Sequence, residues 1–451
     1  MNNSRVKEIL ENAKSHLNRG KLLEAFNVIN QGLELAPKNY HLLNLKGITA
    51  SAIGDMPTAV NAFAEAIEVA PDNPGAYVNL GIILMNNNRL EEALDRFKQA
   101  IEKEPDNSLS RYNYALALEA SGNIEEAIKE YELAVKLNPD NHGAFTNLGI
   151  LYLLTGNFGK GLEYFEHRFY TGELKRKELP GRRWEGEMAK DKILYVYADQ
   201  GFGDVIQFSR LLKLARQKVG KIYFECQQEL FDLMKSLEGY DELFISSVDF
   251  KPKSEYDLQL PLMSLPYALQ LTKENIPSEV PYLQAPEDKL HYWKKFFSNY
   301  AGFNIGITWR GNPVFRKNNL RSATLENFLD FKNPNVNLFS LQMPVSESEE
   351  KIMAENGIVD ISKLLLSFAD TAAAIKNLDL IISTDTSLPH LAGALGKPVW
   401  IMLAKIPDWR WGLSGKTSDW YPTMKIFRQK ELGFWDEPFG KAKGELRNLI
   451  D

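Results

Sequence analysis

Four short stretches hold side chains suited to proton transfer or to gripping an anion. The first, ADQGFGDVIQF (198–208), sets Gln200, Gly201 and Gly203 in a turn ahead of Asp204. Glycine opens backbone angles closed to other residues and lets a ligand approach the main chain. Asp204 then stands at the start of a helix with two readings, a helix cap or a base facing a crevice. The spacing is not the dinucleotide fingerprint, because no third glycine follows at the required interval. The second stretch, RGNPVFRKNNLRS (310–322), carries Arg310, Arg316, Lys317 and Arg321 and no acid, in a chain of net charge −6. Arginine offers forked contacts and lysine a point charge, a combination that suits a diphosphate. A run of positive charge is more often solvated surface, but its place after a strand favours the anion. The third stretch, STDTSLPHLAGALGKPVWIML (383–403), brings Asp385, Thr386, Ser387 and His390 to the start of a helix with Pro389 in its first turn. Free N–H groups and the helix dipole make such a terminus a seat for phosphate. Asp385 can hold a hydroxyl or fix the turn, and the lone His390 reads as structural. In the fourth, PDWRWGLSGKTSDWYPTM (407–424), aromatic residues are too dense for a free loop. Trp420 and Tyr421 read as core, Trp409 and Arg410 as the rim of a pocket that stacks on a base or sugar.

These stretches need strands to place them. From Ile193, ILYVYA, KIYFEC and LFISS alternate with amphipathic segments, and the same grammar restarts at Phe303 with FNIGITW, VNLFSLQ, LDLIIST and PVWIML. Strands alternating with helices predict parallel sheets with right-handed crossovers. The expectation is two Rossmann-like halves, 193–300 and 301–430, whose ligands bind beyond the carboxyl ends of the strands. A helix within 431–451 is expected to return to the first half. The charged segment 170–192 reads as a linker anchored by Trp184.

Ahead of it, residues 1–169 repeat every 34 positions. Pro37, Pro71, Pro105 and Pro139 share one register, Ala25, Ala59, Ala93, Ala127 and Gly161 a second, and Gly20, Gly54, Asn88, Gly122 and Gly156 a third. Each period reads as two helices: one before the Gly/Asn turn, the next carrying the small residue and an aromatic four later (Phe63, Phe97, Tyr131, Phe165). Proline ends the second helix, since it lacks an N–H and turns its predecessor away from helix. One such pair cannot bury its own apolar face, so the pairs stack into an α-solenoid with a concave surface. The pattern resembles the tetratricopeptide repeat, which implies a peptide or protein partner. A solenoid that only joins copies of the chain into a homo-oligomer is the competing use.

The remaining composition narrows the classes. Hydrophobic content of 44% and charged content of 25% are those of a globular protein. The negative net charge argues against a general grip on nucleic-acid backbones. One cysteine, Cys226, provides neither an internal disulfide nor a cysteine-based zinc site. No run approaches 18 apolar residues, so no membrane span is expected, and the N-terminus has no apolar signal region. A cytoplasmic protein is predicted.

ADQGFGD and DTSLPHLAGALGKPVW together resemble the bacterial heptosyltransferase-like (family 9) glycosyltransferases. RGNPVFRKNNLRS, SLQ and DWRWGLSGKTSDWYPTMKIFRQ resemble a narrower bacterial set in which a tetratricopeptide solenoid precedes a GT-B domain, as in flagellin-modifying enzymes. The resemblance implies a GT-B fold, a nucleotide-sugar held by the C-terminal half, and a protein acceptor such as flagellin recruited by the repeats. It implies Asp204 as general base, with Arg310, Lys317, Arg321, Gln342, Asp385, Thr386, Ser387, His390, Trp409 and Arg410 on the donor side. Enzymes of this kind generally need no metal and no cofactor. No two aspartates here are separated by one residue, so the D-x-D metal–diphosphate clamp of another glycosyltransferase class is missing. Ser387 departs from the glycine common in relatives. Building another glycan such as lipopolysaccharide, or serving as a non-catalytic scaffold, are the alternatives.

Overall fold

The computed structural model describes residues 2–172, 174, 176–246, 255–312 and 318–450. The chain divides into two compact units, Met1–Leu151 and Tyr152–Asp451.

The first unit is a stack of antiparallel helix pairs, Asn2–Asn18 with Leu22–Leu35, Tyr40–Ile53 with Met56–Val69, Pro74–Asn86 with Leu90–Lys103, and Ser108–Ser121 with Ile124–Leu137. A ninth helix, His142–Leu154, begins in this unit and ends in the next. The turn register has a backbone cause: Gly20, Gly54, Gly122 and Gly156 have φ of +71°, +94°, +87° and +90°, and Asn88 takes the same left-handed region at +60°. Glycine and asparagine tolerate it where other residues are strained. The alanine register is fully buried. The aromatics fill space inside their own pair: a Cβ on Gly47 or Gly81 would lie 2.6 Å from the ring of Phe63 or Phe97 respectively. A fourth register escaped the sequence reading. Asn39, Asn73, Asn107 and Asn141, again 34 apart, accept N–H bonds from Leu42, Gly75, Ser110 and Ala144 at 2.9–3.1 Å and so start each first helix.

The second unit contains two parallel sheets. The first has strands β1 (Arg182–Arg183), β2 (Ala189–Tyr197), β3 (Val219–Cys226), β4 (Glu242–Ile245) and β5 (Leu258–Pro261) in the order β1-β5-β2-β3-β4. The second has β6 (Phe303–Thr308), β7 (Val336–Ser340), β8 (Val359–Asp360), β9 (Leu380–Thr384), β10 (Val399–Leu403) and β11 (Met424–Arg428) in the order β11-β10-β9-β6-β7-β8. In each sheet the order reverses beside the strand that opens the fold, at β2/β5 and at β6/β9. Such reversals leave a gap between diverging crossovers at the carboxyl end.

Two sequence expectations change. The segment 170–192 supplies sheet structure: Arg182 pairs in register with Leu258, and β2 starts at Ala189, four residues before Ile193. Trp184 anchors it, fully buried with Nε1 donating to the Glu187 carbonyl at 3.0 Å. The C-terminal helix, Asp436–Ile450, does not return to the first sheet. Its apolar stripe of Phe439, Ala442 and Leu446 completes the core of the second, with Ile305, Leu338 and Trp400.

Candidate functional site

The helix Phe202–Phe208 follows β2, and its N-terminus lies against the helix Ser387–Ala394, which follows β9. Gly203 permits the approach. A Cβ there would sit 3.1 Å from the His390 ring and 3.4 Å from the Ser387 Cα. This glycine is helical, and Gly201 is extended at φ −68°, ψ 170°. Neither glycine takes an unusual backbone angle, and Gly203 serves close packing. The Gln200 carbonyl accepts a bond from Gln227 Nε2 at 2.8 Å.

Across this contact the two halves share charge. Asp204 is the third residue of its helix, and its Oδ2 accepts the Gly201 N–H at 3.0 Å. Its Oδ1 accepts a bond from Arg410 Nη2, out of the turn Trp409–Trp411 that follows β10. Arg410 also donates to Asp408 Oδ1 at 2.7 Å and to Gln207 Oε1 at 2.6 Å. Burial raises the Asp204 carboxyl above its usual range by more than the Arg410 charge takes back. Burial also works on Asp408, but the charge and hydrogen bonds of Arg410 outweigh it and hold that group low. Asp385, directly after β9 and 7% exposed, is pushed up to about 6 by burial and by the negative Asp408, with Arg321 opposing. His390 is pushed down to about 3 by burial and by the Arg410 charge. Its Nδ1 lies 3.1 Å from the Tyr421 hydroxyl and its ring stacks on Trp411 at 5.1 Å.

The other residues expected on the donor side divide. Thr386 caps the helix Ser387–Ala394, its hydroxyl accepting the Leu388 N–H at 3.3 Å, with Ser387 the first helical residue. Arg321 ends the helix Asn318–Arg321, and its charge reaches Asp204, Asp385 and His390. Arg316 and Lys317 lie outside the described residues. Arg310 pairs with Glu349 and donates to the Pro344 carbonyl at 2.8 Å. The buried Gln342 directs Oε1 to Thr308 Oγ1 and to the Trp309 and Arg310 amides, all within 3.1 Å, and so shapes the loop after β6. Trp409 is core rather than rim. It is 5% exposed, stacked on Phe208 and edge-on to Phe158 and Trp420.

Sequence reading missed Asp408 and Gln207. The first had a signal in its place two residues before Arg410 in one turn. The second had none, because a glutamine inside an apolar helix looks like any other. Gln207 is fully buried and its Nε2 has no hydrogen-bond partner among the described residues; the same holds for Thr384 Oγ1 at the end of β9. No group of three or more His, Cys, Asp or Glu among the described residues is placed to hold a metal ion, and no helix among them is long and apolar enough to cross a membrane.

Residues 44–107, 78–142 and 116–167 each match the tetratricopeptide-repeat family. Protein FlbA of Caulobacter vibrioides is 25% identical over 318 residues, covering 64% of this chain and 52% of that protein. The chain thus spans about half the length of this curated relative. Among solved structures, PilF of Pseudomonas aeruginosa is 18% identical with a TM-score of 0.37, over 39% of this chain and 79% of that one. MamA of Desulfovibrio magneticus RS-1 is 21% identical with a TM-score of 0.32, over 38% and 96%. With the left-handed Gly/Asn turns, the buried alanines and these family matches, the N-terminal unit is established as a tetratricopeptide-repeat solenoid.

Proposed function

We propose that this chain is a glycosyltransferase of the GT-B kind that moves a sugar from a nucleotide-sugar to a hydroxyl of a protein acceptor bound by its repeats. The observation that carries the reading is the charge cluster where the helices that follow β2 and β9 meet, beyond the carboxyl ends of those strands. Two carboxylates, Asp204 and Asp385, meet there with the guanidiniums of Arg410 and Arg321 and the start of the helix Ser387–Ala394. Glycosyl transfer by inversion asks for such parts: a base for the acceptor hydroxyl and fixed positive charge for the departing phosphate. The unpartnered Gln207 Nε2 and Thr384 Oγ1 support a polar ligand in the same place, because buried polar groups are ordinarily hydrogen-bonded. The repeats contribute by tethering, which turns the encounter with a bound acceptor into an intramolecular one.

The test is to incubate the purified chain with a panel of nucleotide-sugars and a co-expressed acceptor, in excess EDTA, and read the acceptor's intact mass. A mass increase of one glycosyl unit that survives EDTA is expected. Loss of transfer in EDTA with rescue by manganese would remove the metal-independent mechanism. Neither transfer nor donor hydrolysis with any sugar would leave the scaffold reading, which draws on Arg310 and Gln342 being engaged within the protein.

A further inference from the structure

β10 and β11 are parallel neighbours, and the crossover between such strands is usually a helix that satisfies its own backbone. The connection 404–423 has instead one short helical turn, Trp409–Trp411, and is otherwise irregular. Its carbonyls must therefore find donors elsewhere. Four of them converge on one side chain. Arg428, the last residue of β11, donates from Nη2 to the Trp411 carbonyl at 2.5 Å and the Ser414 carbonyl at 3.0 Å. Its Nη1 donates to the Gly412 carbonyl at 2.9 Å and its Nε to the Gly415 carbonyl at 3.1 Å. Among the described residues no carboxylate offsets this guanidinium, and burial lowers it to about 10, still charged at neutral pH. A planar fork of donors can gather several carbonyls at once, which the single ammonium of lysine cannot.

The gathered stretch adjoins Arg410. The Trp411 and Gly412 N–H groups close the turn onto the Asp408 and Trp409 carbonyls at 3.1 and 3.2 Å. A hold on the Trp411 and Gly412 carbonyls is thus a hold on the turn itself. On its other flank, Trp409 is stacked on Phe208. Arg410 leaves the turn between these two supports and reaches Asp204 and Gln207.

We propose that Arg428 is a positioning residue, which sets the turn Trp409–Trp411 and so aims Arg410 at Asp204. Its consequence for catalysis rests on the glycosyl-transfer reading above, in which Arg410 and Asp204 belong to the working cluster. A misplacement of about 1 Å caused from outside the chemistry can lower a rate roughly 10²-fold.

The experiment uses the full chain and pairs Arg428→Lys, which keeps the charge and loses the fork, with Arg410→Gln in a double-mutant cycle. Arg428→Lys should lower kcat roughly 10²-fold with the acceptor KM nearly unchanged. In the Arg410→Gln background the same substitution should lower kcat little further, because its route of action is already gone. Equal factors in both backgrounds would overturn the assignment. Arg428→Gln, with donors for part of the carbonyl set, should fall between wild type and Arg428→Lys and guards against one variant failing to fold. Unfolding of both would overturn the proposal by making Arg428 a tie for the whole fold. A second readout needs no turnover: in Arg428→Lys the amides of 409–412 should exchange hydrogen faster while those of β9 and β10 hold their protection. Unchanged exchange at 409–412 sinks the positioning role. A wild-type chain inactive on every donor defeats the glycosyl-transfer reading, and the exchange result still decides whether Arg428 holds the turn.

Discussion

Each sheet of the second unit places an aspartate near the strand that flanks its reversal, and the two are managed in opposite ways. Asp199, two residues after β2, accepts the Met263 N–H at 3.1 Å and the Arg168 guanidinium at 3.4 Å. Arg168 also pairs with Glu166 at 2.6 Å and donates to Ser264 Oγ at 2.9 Å, and Glu166 reaches Arg183 at 2.5 Å. At the carboxyl end of the first sheet Asp199, Arg168, Glu166 and Arg183 are thus paired with one another. Asp385 occupies the corresponding place in the second sheet with no such partner among the described residues. Burial lifts both carboxyls to about 6. A buried charge left without a contact partner costs stability that selection tolerates mainly at working sites. Under the proposed function, this difference assigns the first reversal to structure and the second to the site.

The largest expected effects test that contrast. On the proposed function, Asp385→Asn lowers transfer while the thermal midpoint of the second unit holds or rises. Asp199→Ala does the reverse. It leaves Arg168 buried with Glu166 as its remaining ionic partner, and loss of about 3 kcal/mol is expected, the lower end for breaking a buried pair. All eight tryptophans lie at or beyond residue 184, so their fluorescence follows the second unit alone. An Asp199→Ala chain as stable as wild type would erase the distinction between the two ends.

The next effect compares close approaches in the two units. Gly81→Ala forces a Cβ to within 2.6 Å of the buried Phe97 ring, whereas Gly203→Ala meets His390 at 3.1 Å. Overpacking of the first kind costs about 1–3 kcal/mol, read as an earlier loss of helical circular dichroism with the tryptophan signal unchanged. Gly203→Ala should cost less stability but disturb the contact with His390 and Ser387, so on the proposed function its transfer rate falls further than its melting point predicts. Equal losses of stability and activity would mean that Gly203 is only a packing position.

The repeats were legible because one period imposes the same backbone demand again and again. Gly54, Asn88 and Gly122 share a left-handed turn, and the sequence shows it as a column. Strand ends were legible too, since apolar runs stop at turn residues, and this put Asp204, Asp385 and Arg410 just beyond the strands they follow. What the sequence withheld is non-local. That Arg410 would close on Asp204, 206 positions earlier, depends on the order of two sheets. That Trp409 would turn inward depends on Phe158 and Phe208 arriving from elsewhere. The C-terminal helix was misassigned for the same reason: its stripe fits either sheet until the second core is assembled.

The smallest effect concerns pH, and it sharpens the comparison because the two aspartates act alike in it. Asp199 and Asp385 have folded values near 6 against 3.8 for the ordinary group, so each penalises the folded chain above pH 6 and relaxes as pH falls. His390 works in the other direction. Its folded value near 3 lies below the ordinary 6.5, so its neutral burial favours the folded chain at neutral pH and loses that advantage as pH drops through 6.5. Between pH 7 and pH 5 the folded chain therefore takes up two protons at these sites and the unfolded chain one. A fall in pH stabilises the state that takes up more protons, here the folded one, so the tryptophan-monitored urea midpoint should increase modestly on going from pH 7 to pH 5. In Asp385→Asn one folded-state proton is lost, uptake balances, and the midpoint should become nearly flat. In His390→Gln the unfolded-state proton is lost and the increase should steepen. A wild-type midpoint that falls steadily over this interval would show that His390 outweighs the two aspartates, and that Asp385 is already matched by a cation.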